Sequence, residues 1–208
     1  MARLTGAVLL QAVAQRILVA YLAKTGHSDV RPVSNPGRGQ MGAGVDITYT
    51  AGGRQVKVKV KPDSYFGTDP AKVNDRSLVF YRPDAGHYAF ESISNSITRE
   101  PGWMFNSDAN EMYYYYLALA QDEDEIAALF GEPDAIFFSE LKVERDELRI
   151  LPMRATQEWF TAHFEEYTPR PASVGEHSAW YRLIPRSDID GVISGIRTMS
   201  PVYSGVLR

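Results

Sequence analysis

The sequence predicts an α/β fold, a mixed β-sheet with flanking helices, on three observations. Residues 4–24 place Val8, Leu9, Ala12, Val13, Ile17, Leu18, Tyr21 and Leu22 at helical spacing. Residues 44–61 alternate apolar and polar side chains about Gly52-Gly53. Tyr113, Tyr114, Tyr115 and Tyr116 leave no polar face at either period, which reads as a strand covered on both sides, with a helix as the alternative.

The first stripe makes a helix that covers the sheet, with Thr5 as cap and Gly26 as stop. The second pattern is a β-hairpin. With Gly52 and Gly53 as a two-residue loop, Ala51 faces Arg54 and the pairing runs Thr50 to Gln55, Tyr49 to Val56, Thr48 to Lys57, Ile47 to Val58 and Asp46 to Lys59. Every apolar residue then meets an apolar one, and Asp46 shares a polar face with Lys57, Lys59 and Lys61. Periodicity alone makes that face a solvated sheet surface with an Asp–Lys cross-strand pair.

An acid at the start of one strand, preceded by a Gly-rich loop and followed on the next strand by x-x-Lys, resembles the PD-(D/E)XK, restriction-endonuclease-like nuclease superfamily. Gly44-Val45-Asp46-Ile47 is similar to the first half of its motif, and Lys59-Val60-Lys61 stands where an acid-x-Lys triplet belongs. The resemblance covers about residues 1–120 and implies a restriction-endonuclease-like core, with residues 121–208 as a C-terminal elaboration of the same domain. It implies a Mg²⁺-dependent hydrolase of DNA phosphodiesters in which Asp46 holds the metal and Lys61 activates the water. Lys59 takes the place of the second acid, and an ammonium repels Mg²⁺; Glu91 is the candidate replacement ligand. Lys57, Arg38 and Gln15 are the candidate nucleic-acid contacts. A catalytically silent relative that binds nucleic acid or protein through the same face is the alternative reading.

Composition bounds the partners. The chain has 208 residues with 44% apolar content, enough to bury a core as one domain. It lacks cysteine, which removes disulfides and thiolate chemistry and suits the cytoplasm. A net charge of −4 argues against a protein coated for nucleic acid, yet residues 54–61 carry four basic side chains and no acid. Gln11, Gln15 and Arg16 interrupt the first apolar run, so no membrane partner is expected. DNA is the expected partner, and a homodimer stays open.

Elsewhere, Val30–Ser34, Leu78–Arg82 and His87–Ser92 read as strands, the last two joined by a turn at Pro83–Gly86. Gly37-Arg38-Gly39-Gln40-Met41-Gly42 spells a dinucleotide fingerprint, but a strand pattern follows where a helix is required. Residues 101–105 form an aromatic-bearing loop, and Glu123–Phe130 an acid-capped helix. Ala135–Val143 and Glu147–Leu151 read as a strand pair, which makes Asp134 with Glu140-Leu141-Lys142 a rival motif laid along one strand. Ala155–Tyr167 is an amphipathic helix, Thr168–Ser178 a connector, Trp180–Ile184 a strand, Ser187–Ile196 a helix and Ser200–Arg208 an arm or tail. The histidines are scattered, which leaves zinc and Ser-His chemistry unsupported.

Overall fold

The computed structural model describes residues 6–33, 44–63, 86–174 and 176–207. The chain is an α/β protein with a six-strand mixed sheet, a four-strand antiparallel sheet and, among the described residues, seven α-helices. The larger sheet runs β1 (Ser28–Pro32), β2 (Ile47–Ala51), β3 (Arg54–Asp63), β6 (Glu111–Leu119), β7 (Val143–Pro152) and β10 (Arg197–Met199). Its pairs are antiparallel except β3 with β6. The smaller sheet runs β5 (Glu100–Pro101), β4 (His87–Asn95), β9 (His177–Pro185) and β8 (Pro169–Val174).

The hairpin has the register that alternation and turn chemistry require: Ile47 pairs Val58, Thr48 pairs Lys57, and Tyr49 pairs Val56. Gly52 and Gly53 both take positive φ, 55° and 75°, which suits glycine and fits a tight turn between twisted strands. β6 is buried on both faces, as the tyrosine run requires. Tyr113, Tyr115, Leu117 and Leu119 join a core with α1 (Gly6–Lys24), whereas Met112, Tyr114 and Tyr116 join a second core with Tyr88, Phe90 and Ile184 of the smaller sheet. By length and hydropathy α1 is apolar enough to cross a membrane, despite the polar residues that argued against it. In the folded chain its Leu9, Val13, Ile17 and Leu18 are buried against the sheet.

Four sequence expectations fail for identifiable reasons. The segment read as a strand over 135–143 is α4 (Asp134–Glu140). A short apolar run does not separate a buried strand from a helix, and Pro133 with Asp134 marks a helix start. β7 consequently pairs with β6 and β10 instead of with 135–143. The connector at 168–178 contains β8, whose Pro169 and Pro171 are tolerated because β8 is an edge strand. The helix at 187–196 is shorter, α6 (Arg186–Asp190), with Gly191 as its C-cap. The expected tail is an anchored segment ending in α7 (Tyr203–Leu207), with Val202, Tyr203 and Val206 buried. The proposed strand 78–82 lies outside the described residues.

That last segment is held by Asp146, a buried acid on β7. Its Oδ2 accepts hydrogen bonds from the Tyr115 hydroxyl at 2.6 Å, the Val202 amide at 3.0 Å and the Tyr203 amide at 2.7 Å. Lys24 at the end of α1 donates to the Val206 carbonyl. The helices α2 (Trp103–Asn106), α3 (Glu123–Phe130) and α5 (Met153–His163) complete the layers. α3 starts on the expected residue, with an Asp122/Glu125 capping box.

Candidate functional site

β3 alternates between the two cores. Val58 and Val60 point toward α1, so Lys57, Lys59 and Lys61 take the opposite face, the side of Met112 and Tyr114 on the neighbouring β6. Asp46 immediately precedes β2. Its amide donates to the Val58 carbonyl at 2.7 Å, and its own carbonyl accepts from the Val33 amide at 2.8 Å, so the backbone is fixed from both neighbouring strands. The side chain folds toward Lys59: Oδ2 lies 3.0 Å from the Lys59 ammonium and accepts from the Val60 amide at 2.7 Å.

The lysine face is not the solvated surface that periodicity suggests. Lys57 is exposed, but the side chain of Lys59 is 15% exposed and that of Asp46 only 4%. The Lys59 ammonium is 5.9 Å from the Trp103 ring centroid, and the Lys61 ammonium is 5.6 Å from that of Tyr181. Lys61 donates to the Pro62 carbonyl at 3.1 Å, and no carboxylate among the described residues lies within ion-pair distance of it. Desolvation pushes its pKa down, with the like charge of Lys59 adding to the effect and Asp63 and Glu91 opposing it.

The smaller sheet brings Glu91 to this place. Glu91 and Tyr181 are cross-strand partners, and the Tyr181 hydroxyl donates to Glu91 Oε2 at 3.0 Å. Oε1 accepts from the Trp103 amide at 3.2 Å. A Cβ on Gly102 would fall 2.3 Å from the Glu91 carbonyl oxygen, so only glycine allows the Trp103 loop to close on Glu91. Burial raises the Glu91 pKa, while Tyr181, the Trp103 amide and the charges of Lys59 and Lys61 oppose that rise. Asp63 accepts from the Tyr114 hydroxyl in the same region.

The structure thus assembles Asp46, Lys59, Lys61 and Glu91. Gln15 serves them indirectly: its Nε2 donates to the Asp46 carbonyl at 2.5 Å, so its polar end is spent on the hairpin backbone. Arg38 lies outside the described residues. The rival motif disperses, since Asp134 opens α4 and pairs with Arg16 at 2.6 Å. Trp103 is 9% exposed and packs edge-on against Phe90, as a loop anchor does. Sequence reasoning missed Tyr181, Gly102 and the amide of Trp103, whose relation to Glu91 arises only from long-range pairing.

The donor set does not suit Mg²⁺. A hard dication needs several oxygen ligands, whereas Asp46 Oδ2 is occupied by an ammonium and an amide, and both Glu91 oxygens accept protein hydrogen bonds beside two lysines. Among the described residues no three acids or histidines cluster as a metal site would require. What the arrangement offers is cationic donors whose capacity is only partly used, grouped at one end of a strand. Compared with protein-family models, curated proteins and solved structures, the chain matches none.

Proposed function

We propose that this chain is a nuclease-like protein of the PD-(D/E)XK type, restriction-endonuclease-like in its core, that binds DNA while its hydrolytic arrangement is held closed by the Asp46–Lys59 ion pair. The observation that carries the reading is the placement of Asp46 and Lys59 in contact, with Lys61 one alternation further along β3. Two features support it. An acid before one strand and a Lys on the next lie within a mixed sheet covered by a long helix, an arrangement compatible with that motif. Lys57 and Arg31 are exposed in one cross-strand row through Thr48, beside the Asp46–Lys59 ion pair, which supplies a cationic approach.

Phosphate contacts make affinity salt-dependent. In fluorescence anisotropy with duplex and single-stranded DNA, Lys57→Ala and Lys61→Ala should each weaken binding and reduce the salt slope by about one. Wild-type affinity and slope in both variants would favour the protein-interaction alternative. Lys59→Glu rebuilds a two-carboxylate pair, and calorimetry should show it binding Mn²⁺ more tightly than the wild type. Tight Mn²⁺ binding and plasmid nicking by the wild type, lost in Lys59→Glu, would show that Lys59 belongs to a working active site.

A further inference from the structure

The lysines of β3 differ in surroundings along a single line. Lys57 is open to solvent, Lys59 lies against Trp103, and the partly exposed Lys61 lies beside Tyr181, with Asp63 and Glu91 close by. Alternate residues of a strand repeat at about 6.7 Å, close to the separation of neighbouring phosphates along one nucleic-acid strand. The row ends beneath the smaller sheet, so a continuous backbone following it would run into Tyr181 and Glu91. A strand that terminates there meets no such obstacle.

A desolvated ammonium is normally matched by a carboxylate in contact, and among the described residues Lys61 has only the Pro62 carbonyl, at 3.1 Å. Two of its three donors remain for an incoming anion. A terminal phosphomonoester carries about −1.5 to −2 charge, more than an internal diester, and has three acceptor oxygens. Its extra charge and acceptors suit the Lys61 ammonium, whose neighbours Asp63 and Glu91 act on it without an ion-pair contact.

We propose that the β3 lysine row tracks the phosphates of a single DNA strand and receives the phosphorylated end of that strand at Lys61. The proposal rests on the DNA-binding reading above and narrows its ligand to a strand terminus. Lys57 takes an internal phosphate, Lys59 shares its ammonium between Asp46 and the penultimate phosphate, and Lys61 takes the terminal phosphomonoester.

The test measures binding of the full chain to one short labelled oligodeoxynucleotide in four forms: 5′-phosphorylated, 3′-phosphorylated, unphosphorylated and circularised. One phosphorylated form should bind about tenfold tighter than the unphosphorylated one, the gain expected of one added charge-assisted contact. The circle should bind no better than the unphosphorylated strand. Lys61→Met, with folding checked by circular dichroism, should remove the advantage of the end phosphate. Lys61→Arg should keep part of it, and Lys57→Ala should weaken all forms alike. Equal binding of circle and phosphorylated strand, with Lys57→Ala still weakening both, would overturn the end-recognition proposal and leave the DNA reading standing. No binding of any form would overturn both.

Discussion

Two charged clusters in this chain are built differently. One is Asp46, Lys59, Lys61, Asp63 and Glu91. The other is Glu147, Arg149, Arg186 and Asp190, where β7 meets α6. In the second, Arg149 uses all three nitrogens: Nε donates to the Tyr88 hydroxyl at 3.3 Å, Nη1 to Thr198 at 2.7 Å and Nη2 to Asp190. Arg186 donates to Glu147 at 2.8 Å, and Tyr88 donates to the remaining oxygen of Asp190 at 2.7 Å. Guanidinium forks match carboxylates and leave little capacity, so this cluster braces the structure. The lysine cluster uses point charges with few contacts and, among the described residues, leaves one ammonium without a carboxylate in contact. Charged groups in close company give a closed network in one place and an open set of donors in the other.

This contrast can be broken experimentally. The largest effect is expected at Arg149. Arg149→Met leaves Asp190 and Glu147 with less compensation, and chemical denaturation should show a loss of about 3–5 kcal/mol. A loss under 1 kcal/mol would remove the structural assignment of the arginine cluster. Gly102→Ala comes next, because the new Cβ meets backbone that must shift; a loss of about 1–3 kcal/mol is expected as Glu91 is displaced. Lys61→Met should act in the opposite direction and stabilise the fold by about 1 kcal/mol, since an incompletely compensated charge is replaced by an apolar chain. Marked destabilisation there would mean that Lys61 is a structural ion after all.

The smallest effect concerns pH. Burial holds folded Glu91 above its ordinary value of 4.5, so it keeps a proton where the unfolded chain has lost one. Its contribution is therefore complete below pH 4.5 and is lost as pH rises through the folded value. Denaturation of wild type and Glu91→Gln across this window should show the wild type losing stability relative to the variant as pH rises. Parallel profiles would mean that Lys59, Lys61 and Tyr181 fully offset the burial of Glu91.

Local signals carried much of the central sheet. The hairpin register follows from a Gly-Gly turn and a two-residue period as far as Ile47–Val58; beyond it the Asp46 amide bonds to the Val58 carbonyl, and the expected meeting of Asp46 with Lys59 is made by their side chains. α1, α3 and β6 were legible for similar reasons: a helical stripe, a capping box and an apolar run without a polar face. The smaller sheet was not legible as a sheet, because Glu91 and Tyr181 are separated by 90 residues and nothing local ties them together. α4 was hidden because its apolar run lacks a diagnostic period, and β8 because its prolines read as a connector until it is known to lie at an edge. The site divides the same way. Its hairpin half was visible in the sequence, while the Trp103 amide, the Tyr181 hydroxyl and the glycine that lets them close on Glu91 depend on tertiary pairing.

The Asp146 clasp has a consequence for how the chain is made. Synthesis delivers α1 well before residues 202 and 203, yet the amides of those residues satisfy a carboxylate buried beside the core that α1 covers. A nascent chain lacking them exposes Val202, Tyr203 and Val206 contacts on α1 and leaves Asp146 with the Tyr115 hydroxyl alone from this set. The α1 side of the molecule therefore closes only after residue 207 has cleared the ribosome tunnel. During translation α1 has to wait for a partner segment made much later.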